Sequence, residues 1–123
     1  MTSESAHLRK ARHNKAFLAT IDVGAPRFLD WAVTVLFYCA LHYVEAWFCS
    51  KLDRHFTSHG DRNQAVNRFL ITIAGGYLRL YNRARLARYE QFAMNSTDFH
   101  RLKSDHFAPI EHFVTSDLGI SPG

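Results

Sequence analysis

The sequence predicts an all-α protein, an antiparallel bundle of four to five helices. Apolar residues recur every three or four positions along each long segment, and no stretch shows the alternation of a half-buried strand. Short connections separate these segments, which favours helices that lie antiparallel to their neighbours. With 123 residues, 47% of them hydrophobic, we expect one domain over residues 1–123 with a short flexible tail at 119–123.

The central helix of this bundle is predicted from about Arg27 to Leu52, because the stretch is apolar on every side. About 20 apolar residues would just span a bilayer. However, Asp30, His42 and Glu45 are costly in hydrocarbon, so we expect a core helix and no membrane span. His42 and Glu45 are three residues apart, so they lie on one helix face and need buried partners.

Two helices are predicted around the central one. The first runs from about Ser3 to Thr20, with Ser3 or Ser5 as its cap, and a break with Gly and Pro follows at 23–26. After a polar connection, the third helix of the chain starts near Asp61 and ends at Ala74–Gly76.

The remaining segments predict a fourth helix and a last helical stretch. The fourth helix extends from Tyr77 to about Phe92. Residues 95–98 form a loop and cap cluster, and the last stretch runs from Phe99 to Leu118 with a kink or restart at Pro109.

The net charge and the cysteine content indicate the kind of partner and the cellular compartment of the protein. The net charge of +4, with eight His uncounted, favours anionic partners such as RNA. Cys39 and Cys49 are ten residues apart on one helix, about 15 Å along its axis, so they cannot pair with each other. Two thiols without a disulfide and an N-terminus without an apolar signal core predict a cytoplasmic protein.

The spacings do not indicate a metal, a cofactor or a nucleophile. His55 and His59 are four apart without the Glu of a zinc-protease motif, and Glu45 follows His42 in the reverse of the order in bundle metal sites. No Gly-x-Ser-x-Gly turn and no phosphate-binding glycine loop occur. We therefore expect no metal site and no cofactor.

His59 and Arg62 are the candidate catalytic residues. They are three apart near the start of the third helix, so they can point the same way. Imidazole can move protons and guanidinium can neutralise a developing phosphorane charge. The structural alternative is that Arg62 pairs with Glu45, or with a helix end, and holds two helices together.

The fourth helix adds Arg85 and Arg88 on one side with Tyr81. Arg interleaved with Tyr can bind RNA through phosphate contacts and base stacking. Equally, one of these Arg residues can be drawn inward to neutralise Glu45, because a buried unpaired carboxylate is costly. Both interpretations remain open at the level of the sequence.

Four short motifs together resemble small prokaryotic HEPN-domain proteins. They are the run Trp31–Trp47 with Phe37-Tyr38-x-Ala40-x-His42-x-x-Glu45-Ala46, then Ser58-His59-x-x-Arg62, Tyr77-Leu78, and Ala87-Arg88-Tyr89, in that order. The resemblance implies an all-α bundle that usually dimerises. Many members are metal-independent ribonucleases in toxin–antitoxin, CRISPR-linked or phage-defence systems, and others are non-catalytic.

The catalytic signature of that family is an Arg followed by His after four to six residues. Arg54 with His59, and Arg101 with His106, meet this spacing, as chance alone would allow in a chain so rich in both residues. In the family a polar residue often follows the Arg of the signature directly, and Arg62-Asn63 resembles this start. However, Asn67 stands where the His of the signature belongs. His59 would have to substitute for that His.

Three hypotheses follow. The first is a homodimeric, RNA-directed protein that cleaves RNA without metal, with His59 and Arg62 as catalytic residues. Its supporting residues would be His42, Glu45, Tyr81, Arg85 and Arg88, and an antitoxin or other protein would be its partner. The second is a non-catalytic dimerisation or interaction module in which the same residues form a buried network. The third, a nucleotide-binding helper domain, requires a pocket lined by the Arg residues of the fourth helix.

Overall fold

A computed structural model describes residues 3–89 and 92–122, and every regular element within them is helical, without a strand. The predicted helical class is therefore confirmed. A 3₁₀ turn precedes the second helix, and a π-helical turn joins the last two helices without a break. The helices are α1 (Glu4–Leu18), α2 (Leu29–Leu52), α3 (His59–Phe69), α4 (Ile71–Leu86), α5 (Ser96–Leu102) and α6 (Ala108–Leu118).

Helix α2 is the centre of the structure, as predicted, and packs against α1, α4 and α6. By length and composition it could cross a membrane, but 72% of its apolar window is buried inside the fold. That burial is what the core helix of a soluble protein has. Its largest fully buried side chains are Leu29, Val33, Leu36, Phe37, Tyr43, Glu45 and Phe48.

Capping residues define where α1 and α3 begin. The Ser3 hydroxyl accepts a hydrogen bond from the backbone N–H of Ala6, which confirms the predicted cap of α1. The Ser58 hydroxyl accepts likewise from the N–H of Asp61. This cap starts α3 at His59, ahead of the predicted position near Asp61, and places His59 in the first helical turn.

The predicted boundary at Ala74–Gly76 is wrong. The chain breaks at Leu70, where φ is −122° and ψ is 48°, and both glycines lie inside α4. A Cβ on Gly76 would lie 3.3 Å from His106 Nδ1 and 3.4 Å from His106 Cα. The glycine therefore permits close packing of α4 on the π turn. The fourth helix accordingly begins at Ile71 and ends at Leu86, before the predicted end at Phe92; residues 90–91 of that span lie outside the described residues.

The predicted kink or restart at Pro109 is found just before that residue: helical structure continues from Ser96 to Leu118, and only the π turn Lys103–Phe107 departs from α-helical geometry. Pro109 follows this turn in α6 and has no N–H to donate to it. The predicted tail packs back on the domain: the Pro122 carbonyl accepts hydrogen bonds from Tyr43 Oη at 3.0 Å and Lys15 Nζ at 3.3 Å. Gly123 lies outside the described residues.

Candidate functional site

The Glu45 carboxylate is the centre of a buried polar network. Its side chain is fully buried in α2, and Oε1 lies 2.6 Å from Arg62 Nε. Oε2 lies 3.1 Å from His55 Nδ1, and the N–H of Phe56 donates to both oxygens at 3.3 Å. The Arg that neutralises Glu45 is thus Arg62 of α3, not an Arg of α4.

Arg62 is buried and also donates hydrogen bonds to two other partners. Nη2 donates to the carbonyl of Phe56 at 2.7 Å, and Nη1 donates to His59 Nδ1 at 3.2 Å. The guanidinium therefore joins α2, the connection before α3, and α3 itself. This is the pairing with Glu45 that the sequence indicated as the alternative to a catalytic role for Arg62.

His59 is half-buried among aromatic rings. Its ring centroid lies 5.4 Å from that of Tyr81, 5.8 Å from Phe37 and 6.5 Å from Tyr38. Because Arg62 is always protonated, His59 Nδ1 must accept, and a neutral ring then carries its hydrogen on Nε2. Burial, together with the charges of Arg62 and Arg88, lowers the pKa of His59. The ring is thus a neutral donor at Nε2, not a ready base.

An exposed aromatic and basic surface continues outward from His59. Arg88 Nη2 donates to the Tyr38 hydroxyl at 3.3 Å, and Arg88 shares a shallow cleft with Trp31, which is 59% exposed. The Asp30 carboxylate lines the same cleft and offsets part of its positive charge. We call this the Trp31–Arg88 surface, comprising Trp31, Tyr38, His59, Tyr81 and Arg88.

A second set of imidazoles lies on the other side of Glu45. His7 Nδ1 lies 3.0 Å from His42 Nδ1, and His7 Nε2 lies 3.3 Å from His55 Nδ1. Burial first, and then neighbouring positive charge, lowers the pKa of His42 to about 4. Burial also lowers the pKa of His7, against the opposing effect of the Glu45 carboxylate. Both rings are therefore neutral in the folded protein near pH 7.

The residues predicted for the site are only partly brought together. The structure places Glu45 and Tyr81 around the pair of His59 and Arg62, whereas His42 bonds to His7. Arg88 is linked to this group by its hydrogen bond to Tyr38. Arg85 is exposed on α4 and makes none of the contacts described for the other predicted residues.

His7 is the functional candidate that the sequence reasoning missed. It occupies a buried position of α1, four residues before the buried Ala11. The spacing places His7 on the apolar face of α1 and so predicts its burial. It does not predict that Glu45 lies next to it. Only the packing of α1 on α2 brings the two side chains together.

The pair Arg101 and His106 lies in a different groove, together with Arg79 and Arg83 of α4. This is the kind of lining that a nucleotide-binding domain requires. Two carboxylates, those of Asp98 and Asp105, line the same groove and offset much of its positive charge. The groove is therefore a weaker anion site than its Arg residues alone suggest.

Comparison with protein-family models, curated proteins and solved structures finds no match to this chain.

Proposed function

We propose that this protein is a non-catalytic, HEPN-like interaction module that binds single-stranded RNA on the Trp31–Arg88 surface. The buried network around Glu45 and Arg62 has a structural role in this proposal. It fixes α2, α3 and their connection, and so holds the binding surface in shape.

The observation that carries the proposal is the position of Arg88 beside Tyr38 and the exposed Trp31. Unpaired bases stack on exposed aromatic rings, and guanidinium groups bind the phosphates between them. The N–H at His59 Nε2 adds a neutral hydrogen-bond donor near the Tyr38 ring. The net charge of +4 favours the approach of RNA.

A structural role for Arg62 is supported by its partners. To stabilise a phosphorane, its guanidinium would have to turn away from Glu45 and leave a buried carboxylate unpaired. That change costs several kcal/mol, which works against catalysis. The Nε2–H tautomer of His59 likewise suits donation to a bound phosphate better than removal of a hydroxyl proton.

Fluorescence anisotropy with labelled single-stranded RNA of mixed sequence tests the proposal. We expect Trp31→Ala to weaken binding by about tenfold, because one stacked base contributes roughly 1–3 kcal/mol. Arg88→Ala should also lower the magnitude of the salt slope by about 0.7, the value for one lost phosphate contact on a single strand.

The matched control is Arg9→Ala, which removes the same charge from an exposed position of α1. Binding should be nearly unchanged in this variant. Equal losses in Arg9→Ala and Arg88→Ala would show diffuse electrostatic attraction instead of a site. Absence of binding by the wild type at micromolar concentrations would exclude the proposal.

A metal-independent endoribonuclease is the second candidate. The contact of 3.2 Å between His59 Nδ1 and Arg62 Nη1 favours it, because it places a proton carrier beside a cation. The ribose 2′-hydroxyl would attack the adjacent phosphate, with His59 moving protons and Arg62 stabilising charge. RNA cleavage in EDTA that is lost in His59→Ala, with unchanged circular dichroism, would establish this activity and refute the non-catalytic proposal.

We also propose a cytoplasmic homodimer with an antitoxin or other protein partner, as the resemblance implies for a toxin–antitoxin or defence system. Exposed apolar side chains such as Ile71, 78% exposed, and Phe69, 38% exposed, support association with another protein surface. Sedimentation equilibrium tests the dimer directly, since a monomer at tens of micromolar would contradict it.

A further inference from the structure

We propose that His7, Glu45, Cys49 and His55 form a zinc-binding site. One ligand atom from each of these side chains lies within 4.8 Å of the other three. The four residues come from α1, from two positions of α2 one turn apart, and from the connection before α3. This convergence explains why no ligand spacing was visible in the sequence.

The distances fit a tetrahedral ion. With metal–ligand bonds of about 2.0–2.3 Å, the edges of a tetrahedron measure about 3.3–3.8 Å. His7 Nε2 lies 3.3 Å from His55 Nδ1 and 4.0 Å from Glu45 Oε2, and His55 Nδ1 lies 3.1 Å from the same oxygen. Three ligand atoms thus stand at nearly the required separations, and Cys49 Sγ completes the group after a small shift.

The chemical nature of the set favours zinc. Two imidazoles, one thiolate and one carboxylate are ordinary zinc ligands, whereas magnesium and calcium prefer oxygen alone. On binding, the Cys49 thiol releases its proton, and a thiolate–zinc bond forms. The thiolate and the Glu45 carboxylate then offset the two charges of Zn²⁺, and the Arg62 guanidinium beside Glu45 leaves the cluster with one net positive charge.

Two of the four proposed ligands have outer contacts of the kind that orient metal ligands. Zinc-bound imidazoles usually donate their other N–H to a neighbour, and His7 Nδ1 can donate to His42 Nδ1 at 3.0 Å. Glu45 directs Oε1 to Arg62, and its Oε2, which faces His55 and the N–H of Phe56, would bind the ion. Two of the four ligands, His7 and Glu45, are thus oriented by a second contact.

Zinc bound at this site would hold the connection between α2 and α3 against α1 and α2. His55 is the most exposed of the four residues, so the ion would enter from its side. Four protein ligands leave no open position, which is typical of a structural site. The inference does not depend on RNA binding.

Titration of the chelator-treated, full-length protein with Zn²⁺ against a chromophoric chelator tests the proposal. We expect one zinc per chain, an increase in Tm on zinc addition, and a thiolate-to-metal charge-transfer band when Co²⁺ replaces zinc. Cys49→Ala should abolish that band, and both Cys49→Ala and His55→Ala should weaken zinc binding at least 100-fold.

Matched controls are Cys39→Ala, which removes the other thiol, and His100→Ala, which removes an exposed imidazole of α5. Both should bind zinc like the wild type. Wild-type protein that binds less than one zinc, or shows no charge-transfer band with Co²⁺, would overturn the proposal even if a variant fails to fold. Folded Cys49→Ala and His55→Ala variants with wild-type affinity would overturn it as well.

Discussion

At the scale of single residues, the ion pair of Glu45 and Arg62 governs the interior. Both side chains are buried, and their atoms Oε1 and Nε are 2.6 Å apart. A buried pair gives little net stability over an apolar pair of the same size, but loss of one partner leaves an uncompensated charge. The two residues should therefore behave as a unit.

Arg62→Met tests this coupling. We expect it to lower the free energy of unfolding by about 3–5 kcal/mol, because it leaves the Glu45 carboxylate without its buried cation. The double variant Glu45→Leu with Arg62→Met should be more stable than Arg62→Met alone. Urea denaturation at pH 7 measures these values.

Lys51 and Asp117 provide the control pair, 3.7 Å apart with side chains 40% and 44% exposed. Lys51→Ala should cost less than about 1 kcal/mol, as for other surface ion pairs. If Arg62→Met cost no more than Lys51→Ala, the buried pair would have no special role.

The sequence predicted part of this residue-level picture. It identified Glu45 as a buried carboxylate in need of a cation, because a charged residue interrupts an apolar helix. It left the choice between Arg62 and the Arg residues of α4 open, because that choice depends on how α3 packs on α2. His7 lies far from Glu45 in sequence, and His55 lies in the connection beyond the end of α2, so only tertiary structure brings the two close to Glu45.

At the scale of elements, the two glycines in α4 differ in their surroundings. Gly75 has open space where a Cβ would stand, whereas Gly76 faces the backbone and ring of His106. The sequence predicted a turn here because paired glycines usually end helices. Packing of α4 on the π turn outweighed that local preference.

Substitution of each glycine by Ala separates helix propensity from packing. Gly75→Ala should raise the free energy of unfolding by about 0.5–1 kcal/mol, because Ala loses less backbone entropy within a helix. Gly76→Ala gains the same propensity, but its methyl group presses on His106, so it should be less stable than Gly75→Ala. Thermal denaturation of both variants measures the difference.

The two variants serve as controls for each other, since they differ by one position in the same helix. Equal stabilisation by both would show that His106 moves aside freely and that α4 does not need a glycine there.

At the scale of the whole molecule, three buried or half-buried imidazoles make stability depend on pH. The pKa values of His7, His42 and His59 are lowered in the folded state, that of His42 to about 4, from an ordinary value of 6.5. Below about pH 6.5 the unfolded chain therefore binds more protons than the folded protein. Stability contributed by the neutral rings is complete above that pH and is lost as the pH falls towards 4.

We expect the free energy of unfolding of the metal-free protein to decrease steadily between pH 7 and pH 5. His42→Gln should reduce this slope, because glutamine is an uncharged polar group that does not titrate. Urea denaturation at several pH values provides the measurement, with His100→Ala, at an exposed position, as control. A stability that is constant over this range would contradict the burial of neutral imidazoles.

The position of α2 also has a consequence for synthesis of the protein. This helix could cross a bilayer by its length and composition, and α4 and α6, which cover much of it, follow later in the chain. While these segments are still inside the ribosome, α2 has only α1 to shield it. The nascent chain thus passes through a stage in which its future core resembles a membrane anchor, and rapid docking of α1 reduces the time it spends there.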